Sequence, residues 1–183
     1  MDLSGSMIST STFAGAEAMP LFAVHPTGAW VANTATVFGD LVVGIGVNVW
    51  FGAVVRGDVA RITLDDRVNL QDGVIVHCDF DEPQILETGV TVGHAAVVHG
   101  KRIGRDTLVG IGAKVLGGVE IGEESIVAAG AVVSPGKIFP ARSMLMGVPA
   151  KLVRTVTDEE VERTRATNAR YQRLAKEMLG MTE

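Results

Sequence analysis

An aliphatic residue returns about every six positions from residue 31 onward, and this period constrains the fold more than any other feature of the chain. A helix would need apolar residues at intervals of three and four, which this stretch does not sustain. The period instead predicts an all-β solenoid, a parallel β-helix whose aliphatic side chains point into a narrow prism. Three six-residue blocks per coil make about six coils. The eighteen aliphatic positions are Val31, Val37, Val43, Val49, Val55, Leu64, Leu70, Val76, Leu86, Val92, Val98, Ile103, Val109, Val115, Ile121, Val127, Val133 and Phe139.

The composition agrees with such a narrow interior and excludes several kinds of partner. Hydrophobic residues make up 47% of the chain and aromatic residues only 5%, which suits stacked strands rather than a conventional globular core. The net charge is −5 without a long Lys/Arg cluster, so neither nucleic acid nor a membrane surface is expected as a partner. No apolar run approaches the roughly 18 residues of a bilayer span. The single cysteine, Cys78, excludes an internal disulfide and favours a reducing, cytoplasmic location.

The repeat divides the chain into three segments. Residues 1–24 lack the basic start and apolar core of a signal peptide and are expected to form a flexible lead into the fold. Residues 25–153 are predicted to form the β-helix domain, with an extended exit at 146–151. Residues 154–183 are predicted to form a C-terminal helix packed alongside, because Thr157 and Glu160 make a capping-box motif before a partial apolar stripe.

Three irregularities interrupt the repeat near the middle of the chain. Three extra residues fall within 55–64, four extra fall within 76–86, and one is missing within 98–103. Insertions in a solenoid form loops on one face, often the binding face. A harmless bulge is the simpler explanation of any single insertion. These insertions flank the histidines, however, which favours a functional role.

Three of the four histidines occupy related positions of the repeat. One coil runs from Val76 to Val98, so His77 and His99 hold the same position on successive coils. They are therefore expected to lie about 4.8 Å apart, the ordinary spacing of neighbouring strands. Two imidazoles at that separation can share one metal ion. His25, before the repeat, is expected to have no role.

His94 is predicted to face a different direction from this pair. It lies five residues before His99, roughly 16 Å along an extended chain, and projects from a different wall. It is not expected to reach the same ion within one subunit, whereas a second prism packed alongside could supply its own His94. Three prisms around an axis create three equivalent three-histidine sites, because cyclic symmetry repeats each interface. The sequence thus predicts a homotrimer with metal between its subunits.

Two columns of polar residues accompany the histidines. Arg56 holds the position of His77 one coil earlier, on the face that carries the pair. Gln71 aligns with Gly93, next to His94, and Asn69 ends the preceding block near the same corner. At a trimer interface these two columns are expected to meet.

Arg56 and Cys78 also have simpler explanations. Arg56 is expected to form an interface ion pair with Asp58 or Asp72. Cys78 follows a candidate ligand but should point the opposite way along its strand, so it is expected to pack in the interior. Metal ligation by Cys78 is the alternative.

Four motifs, taken together, resemble the γ-class carbonic anhydrase family. The resemblance covers roughly residues 25 to 175, and it implies a left-handed β-helix trimer with Zn²⁺, or Fe²⁺ or Co²⁺, at each interface. His77 and His99 would come from one subunit and His94 from its neighbour. The motifs are Val55-Arg56-Gly57-Asp58, Asn69-Leu70-Gln71-Asp72-Gly73, Val76-His77 and Gly93-His94-Ala95-Ala96-Val97-Val98-His99-Gly100.

The resemblance also implies roles for residues around the metal. Gln71 and Asn69 would hold the metal-bound water or bicarbonate. Arg56, with the carboxylates of Asp58 and Asp72, would support the interface. The remaining residues carried over are Tyr171, which would approach the site from the terminal helix, and Asn168, whose spacing from Tyr171 differs from the family pattern.

The implied activity is reversible hydration of CO₂ to bicarbonate by a metal-bound hydroxide. Three neutral imidazoles leave Zn²⁺ its full charge and an open position, and such a centre lowers the pKa of bound water to about 7. The chain departs from the best-known archaeal pattern at Val59, which stands where that pattern has a catalytic glutamate. The acidic loop is also shorter, with Asp79, Asp81 and Glu82 remaining.

Two alternatives stay open from the sequence. One is a hexapeptide acyltransferase or thioesterase-like enzyme, which generally needs one catalytic histidine and a long loop over an acyl-CoA groove. The other is a metal-bearing trimer with an accessory role and little turnover.

Overall fold

The computed structural model describes residues 21–179, which form a parallel β-solenoid of about six coils followed by one α-helix. The first twenty residues of the predicted lead lie outside this range. None of the helices between residues 21 and 179 is long and apolar enough to cross a bilayer. The strands, in chain order, are β1 (Phe22–Val24), β2 (Trp30–Ala32), β3 (Thr36–Val43), β4 (Asn48–Val49), β5 (Val54–Leu64), β6 (Asn69–Leu70), β7 (Ile75–His77), β8 (Gln84–Leu86), β9 (Thr91–Val92), β10 (Val97–Val98), β11 (Arg102–Ile103), β12 (Leu108–Val109), β13 (Lys114–Val115), β14 (Glu120–Ile121), β15 (Ile126–Val127), β16 (Val132–Val133), β17 (Ile138–Phe139), β18 (Ser143–Gly147) and β19 (Ala150–Thr155).

Strand pairing divides the solenoid into three faces. Face A runs β1-β2-β4-β6-β9-β12-β15-β18-β19, with parallel pairs throughout except at its two outermost strands. Face B contains the first halves of β3 and β5 together with β7, β10, β13 and β16. Face C contains the second halves of β3 and β5 together with β8, β11, β14 and β17. Each coil contributes one strand segment to every face.

The predicted aliphatic series forms the interior of the prism. Fourteen of the eighteen positions are no more than 2% exposed. The other four are Val31, Val37 and Val43 in the first coil and Phe139 in the last. These end coils have a neighbouring coil on one side only, and the first three residues line a 510 Å³ cavity at the open end of the prism. The six-residue period therefore predicted both the fold and its core.

The insertion within residues 55–64 forms no loop, contrary to the expectation from the sequence. Strand β5 continues from face B to face C, and it pairs with β3 on both sides of a register shift, where residues 58–61 lie between the pairs Gly39–Gly57 and Leu41–Ile62. Gly39 and Gly57 lie opposite each other in this pair, and a Cβ on Gly39 would lie 2.3 Å from the backbone of Gly57. Because both residues lack side chains, the two backbones approach closely at the bend and the extra residues remain in the strand. The second insertion does form a turn, at Phe80 and Asp81.

The predicted extended exit at residues 146–151 is instead part of an antiparallel hairpin. Strands β18 and β19 pair with each other across Val148 and Pro149. Leu145, in β18, is fully buried and continues the aliphatic series by one more position. The prediction missed the hairpin because the six-residue pattern ends at Phe139, while the strand pairing continues.

The C-terminal helix, α1 (Asp158–Met178), lies along face A against β4, β6 and β9. The predicted capping box is confirmed, since the Thr157 hydroxyl accepts from the backbone of Glu160 and the Glu160 carboxylate accepts from the backbone of Thr157. Arg154 also pairs with Glu160, with both nitrogen–oxygen distances at 2.8 Å. These bonds, that from Arg154 foremost, lower the pKa of Glu160 to about 2. The sequence pattern thus predicted where the helix begins.

Candidate metal centre

His77 and His99 stack on face B as the repeat predicts. Their strands pair with Val76 opposite Val98, and Arg56 lies opposite His77 one coil earlier. Nδ1 of His77 lies 3.1 Å from Nε2 of His99. Two nitrogens bound to one tetrahedral Zn²⁺ at about 2.0–2.1 Å lie about 3.3 Å apart. The observed spacing therefore fits two ligand positions of one ion.

A carboxylate lies beside the outer nitrogen of each ring, and the one beside His77 is within hydrogen-bond distance. Nε2 of His77 lies 3.1 Å from Oδ1 of Asp58, and Nδ1 of His99 lies 3.7 Å from Oδ1 of Asp79. A carboxylate on the far nitrogen fixes the orientation and tautomer of a ligating imidazole and raises its basicity. With the proton of His77 on Nε2, facing Asp58, the lone pair of its Nδ1 is directed to the space between the rings.

Asp58 is itself fixed by Arg56. A guanidinium nitrogen of Arg56 lies 2.5 Å from Oδ2 of Asp58. Burial acts to raise the pKa of the Asp58 carboxyl, but hydrogen bonds from its own backbone amide, His77 and Arg56 hold that pKa below its usual value. Asp58 therefore stays ionised as the acceptor for His77. The sequence predicted Asp58 or Asp72 as the partner of Arg56, and within the subunit Arg56 pairs with Asp58.

His94 lies at the corner between faces A and B, and both of its ring nitrogens have partners. Nδ1 lies 2.9 Å from Oδ2 of Asp72, and Nε2 lies 3.1 Å from the hydroxyl of Tyr171. Asp72 thus contacts His94 within the chain, whereas the resemblance placed it with Arg56 at the interface. Among residues 21–179, no three His, Cys, Asp or Glu side chains form a group able to hold a metal ion. One subunit accordingly brings two of the candidate histidines together and directs the third elsewhere.

Tyr171 covers the nitrogen of His94 that faces the terminal helix. Burial, followed by the charge of Asp72, raises the pKa of the Tyr171 phenol, so it remains a hydrogen-bond donor at neutral pH. Its ring packs edge-on against Trp50, with centroids 5.1 Å apart. With Nδ1–H donating to Asp72, Nε2 of His94 accepts from Tyr171. Tyr171 therefore occupies the lone pair that a metal ion would require.

A chain of amide hydrogen bonds leads from His94 into the protein. The backbone N–H of His94 donates to Oε1 of Gln71 at 3.2 Å, and Nε2 of Gln71 donates to Oδ1 of Asn69 at 3.2 Å. Asn69 donates in turn to Oδ1 of Asn48, which also accepts from the indole of Trp50 at 2.8 Å. Gln71 is only 5% exposed, so its position is set by these bonds.

The sequence analysis included Asn69 and Gln71 but missed Asn48 and Trp50. Asn48 lies opposite Asn69 in the pairing of β4 with β6. Two asparagines at the same repeat position on successive coils were the available signal. Trp50 gave no such signal, because its role depends on the helix that covers it.

Cys78 and Asn168 both have structural positions. Cys78 is buried in the prism core, as predicted, and its Sγ lies 3.5 Å from the carbonyl of Ala60. Burial raises the pKa of this thiol. Asn168 was expected near the metal site together with Tyr171, but its side chain bonds to the solenoid instead. Its Nδ2 donates to the carbonyl of Arg67 and to the hydroxyl of Thr91, and so fastens the helix to the solenoid.

The turn after His77 carries the remaining acidic residues. Asp79 lies beside His99, while Asp81 and Glu82 are exposed further along the turn. Phe80, between Asp79 and Asp81, is 83% exposed. This turn therefore places carboxylates next to the histidine pair.

Comparison with known proteins decides the family. Residues 100–135 match a family model described as bacterial transferase hexapeptide (six repeats). The chain is 44% identical over 152 residues to the carnitine operon protein CaiE of Citrobacter koseri, covering 83% of this chain and 77% of that protein. The chain belongs to the hexapeptide-repeat family.

Other relatives of this hexapeptide-repeat protein carry different names. The probable carbonic anhydrase of Methanocaldococcus jannaschii is 42% identical over 145 residues, covering 79% of this chain and 91% of that protein, which agrees with the γ-class resemblance. A solved structure of a putative acetyltransferase from Bacillus cereus is 36% identical, with a TM-score of 0.79 and coverage of 85% and 91%. One fold thus serves several named activities, and the choice among them depends on the site.

Proposed function

We propose that this hexapeptide-repeat protein catalyses the reversible hydration of CO₂ to bicarbonate at a metal site between the subunits of a homotrimer. The observation that carries the proposal is the 3.1 Å separation of the facing nitrogens of His77 and His99. A pair of imidazoles at that spacing, with a carboxylate bonded to the outer nitrogen of His77 and another near that of His99, suits a metal ion better than it suits a single general base.

The third ligand would be His94 of a neighbouring copy. Its side chain is 41% exposed at the corner between faces A and B, where a neighbour can reach it. Three neutral imidazoles favour Zn²⁺, and the same donors accept Fe²⁺ or Co²⁺. When bound, Zn²⁺ in such a site would supply a water with a pKa near 7, the nucleophile that CO₂ hydration requires.

Other residues of this chain orient the ligands and bind the product. Asp58 orients the imidazole of His77 through its outer nitrogen, and Asp79 lies beside the outer nitrogen of His99. Gln71 uses one amide N–H for Asn69, which leaves its second N–H to donate to bicarbonate. The hydrogen bonds of Gln71 and Asn69 hold that donor in place beside His94.

Each hydration of CO₂ also releases one proton, which must leave the site. Asp58 is the carboxylate nearest to the pair, but it is already paired with Arg56. The next is Asp79, 3.7 Å from Nδ1 of His99. Asp81 and Glu82 continue the path toward solvent on the same turn. Val59 stands where the family pattern has a catalytic glutamate, and the acidic turn is short, so proton release is expected to limit turnover.

A homotrimer is the assembly that this site needs. Light scattering on the metal-loaded protein should give a mass three times the 19.2 kDa of the subunit. A stable monomer would contradict the intersubunit site. The buried thiol of Cys78, the only cysteine in the sequence, is consistent with a reducing location such as the cytoplasm.

Stopped-flow measurement of CO₂ hydration tests the activity. Protein loaded separately with Zn²⁺, Fe²⁺ and Co²⁺ should accelerate hydration above the buffer rate with at least one metal, and His99→Ala should abolish the acceleration. His25→Ala, a histidine outside the site, is the matched control. Stoichiometric metal with no acceleration for any ion would reject hydration and favour an accessory role.

Acyl transfer is the second candidate, and one observation favours it. The chain is 36% identical to the putative acetyltransferase from Bacillus cereus over most of both chains. Release of thiol from acetyl-CoA, with and without an amine acceptor, would detect transferase or thioesterase activity. Such activity that persists after metal removal would support this candidate over CO₂ hydration.

A further inference from the structure

One corner of the solenoid carries a column of side chains beneath the terminal helix. This corner leads from face C to face A, and its residues have positive φ angles because the chain turns sharply there. Its members on successive coils are Gly46, Arg67, Gly89, Asp106, Glu124 and Arg142.

Opposite charges alternate along the part of this column between Arg142 and Asp106, with Arg165 of the helix included. Arg142 lies 2.7 Å from Glu124, and Glu124 also lies 2.7 Å from Arg165 of the helix. Arg165 in turn lies 3.0 Å from Asp106 on the next coil. The hydrogen bond from Arg142 is the main reason that the pKa of Glu124 lies below its usual value. The helix is thus fastened to the corner by ions of alternating sign.

This alternation ends at Gly89, where the missing side chain makes room for the Asp106 carboxylate, since a Cβ on Gly89 would lie 2.3 Å from Oδ1 of Asp106. The next coil contributes the cation of Arg67, and the helix contributes the cations of Arg173 and Lys176. All of these residues line one groove of 530 Å³ between the helix and the corner. Within residues 21–179, none of the three cations forms an ion pair, and the one acid in the groove, Asp106, already pairs with Arg165.

The groove is therefore a concentration of positive charge on a chain whose net charge is −5. Cations that share a groove repel one another, and an anion between them removes that repulsion. Arg67 and Arg173 can each present two parallel N–H donors, the geometry that matches phosphate oxygens. The groove is also larger than a single phosphate ion, so it has room for an attached organic group.

We propose that the groove between Arg67, Gly89, Arg173 and Lys176 binds a phosphoryl group. Nε2 of Gln172, which lines the groove, donates to the Gly46 carbonyl, so the groove lies on the side of the helix that faces Gly46. Tyr171 and His94 meet on the opposite flank, so the phosphoryl site and the candidate metal site are separate.

Calorimetric titration of the full-length, metal-loaded protein tests the proposal. The probes are inorganic phosphate and adenosine 5′-diphosphate, with sodium chloride at matched ionic strength as the blank. At least one probe should bind saturably. Arg173→Gln and Lys176→Gln should each weaken that binding about tenfold, because each removes a charged hydrogen-bond donor from an exposed part of the helix. Tighter binding of the diphosphate identifies an organic phosphate as the source, and equal binding identifies the free ion.

Two controls separate the groove from the rest of the molecule. Arg163→Gln removes a cation from the same helix that pairs with Glu159 outside the groove, and it should leave binding unchanged. His99→Ala should also retain phosphate binding, because the groove does not depend on the histidine pair. The proposal is overturned if neither probe binds, if binding survives in the Arg67→Gln, Arg173→Gln double variant, or if His99→Ala abolishes it.

Discussion

The hydroxyl of Tyr171 lies 3.1 Å from Nε2 of His94, the ring nitrogen that a metal ion would need. The subunit by itself thus holds its third candidate ligand in a hydrogen bond. In the proposed intersubunit site Tyr171 would have to release this nitrogen, so we expect metal binding to be coupled to a small movement of the tyrosine ring.

Removing that hydroxyl should strengthen metal binding. Tyr171→Phe keeps the ring that packs on Trp50 but deletes the competing donor, and a hydrogen bond of this kind contributes roughly 0.5–1.5 kcal/mol. We expect a two- to tenfold lower dissociation constant for Zn²⁺, measured by competition with a chromogenic chelator. Unchanged or weaker affinity would mean that Tyr171 does not compete with the metal.

His94→Ala should remove the metal although it leaves the stacked pair intact. Loss of one of three ligands is expected to lower metal affinity by at least about 100-fold, more than loss of a supporting residue does. Metal content of the purified protein is the measurement, with His25→Ala as control. Full occupancy in His94→Ala would refute the assignment.

Mixed trimers give a sharper test of the same geometry. Subunits with His94→Ala keep His77 and His99, while subunits with His77→Ala and His99→Ala keep His94. Refolding the two variants together should restore metal at the interfaces where the intact pair meets the intact third histidine. If all three ligands came from one subunit, mixing would restore none.

Asp58→Asn should weaken metal binding without removing a ligand. The amide can donate to Nε2 of His77 instead of accepting from it, which favours the tautomer with its proton on the nitrogen that faces His99. Supporting carboxylates of this kind contribute about 10- to 100-fold to metal affinity. Asp40→Asn, which disrupts an exposed pair with Arg61, is the control and should have no effect.

The amide chain beneath His94 should contribute to stability. Asn48→Ala removes the acceptor shared by Asn69 and Trp50, and both donors are buried. Leaving such donors unsatisfied costs about 1–3 kcal/mol each, so urea unfolding should shift to clearly lower denaturant. Asn33→Ala, at an exposed position, should leave the midpoint unchanged. An equal shift in both variants would show that the amide chain adds nothing.

Acid should loosen the terminal helix through Glu160. The folded pKa of about 2 lies below the ordinary value of 4.5, so the ionised form is favoured in the folded state. This contribution is present above pH 4.5 and is lost as the pH falls toward 2. The melting temperature of the wild type should therefore decline more steeply across that interval than that of Glu160→Gln. Glu159→Gln, which leaves the capping box intact, should follow the wild type.

The sequence predicted the parts of the molecule that depend on a repeated backbone pattern. The aliphatic period located the core, the stacking of His77 over His99 and the alignment of Arg56 with both. The capping-box motif located the beginning of the helix. These features follow from local spacing and strand pairing, which a sequence carries directly.

The parts that the sequence did not predict depend on contacts between distant segments. The bend at Gly39 and Gly57 arises from two strands lying against each other, and so the insertion after Val55 stayed a strand. The pairing of Tyr171 with His94 requires knowing which helix face meets face A. The same contact brings Trp50 over Asn48, and neither is visible in the six-residue pattern.

The bend shared by β3 and β5 has a consequence for how this protein can vary. Three extra residues lie between Val55 and Val76 and four between Val76 and Val98, yet Val55 pairs with Val76 and Val76 with Val98. The pitch of the histidine column is set by peptide hydrogen bonds between coils, and it is unaffected by chain length at the corners. Substituting the ligands at these positions should therefore alter which ion is preferred while preserving the distance between the two donor positions.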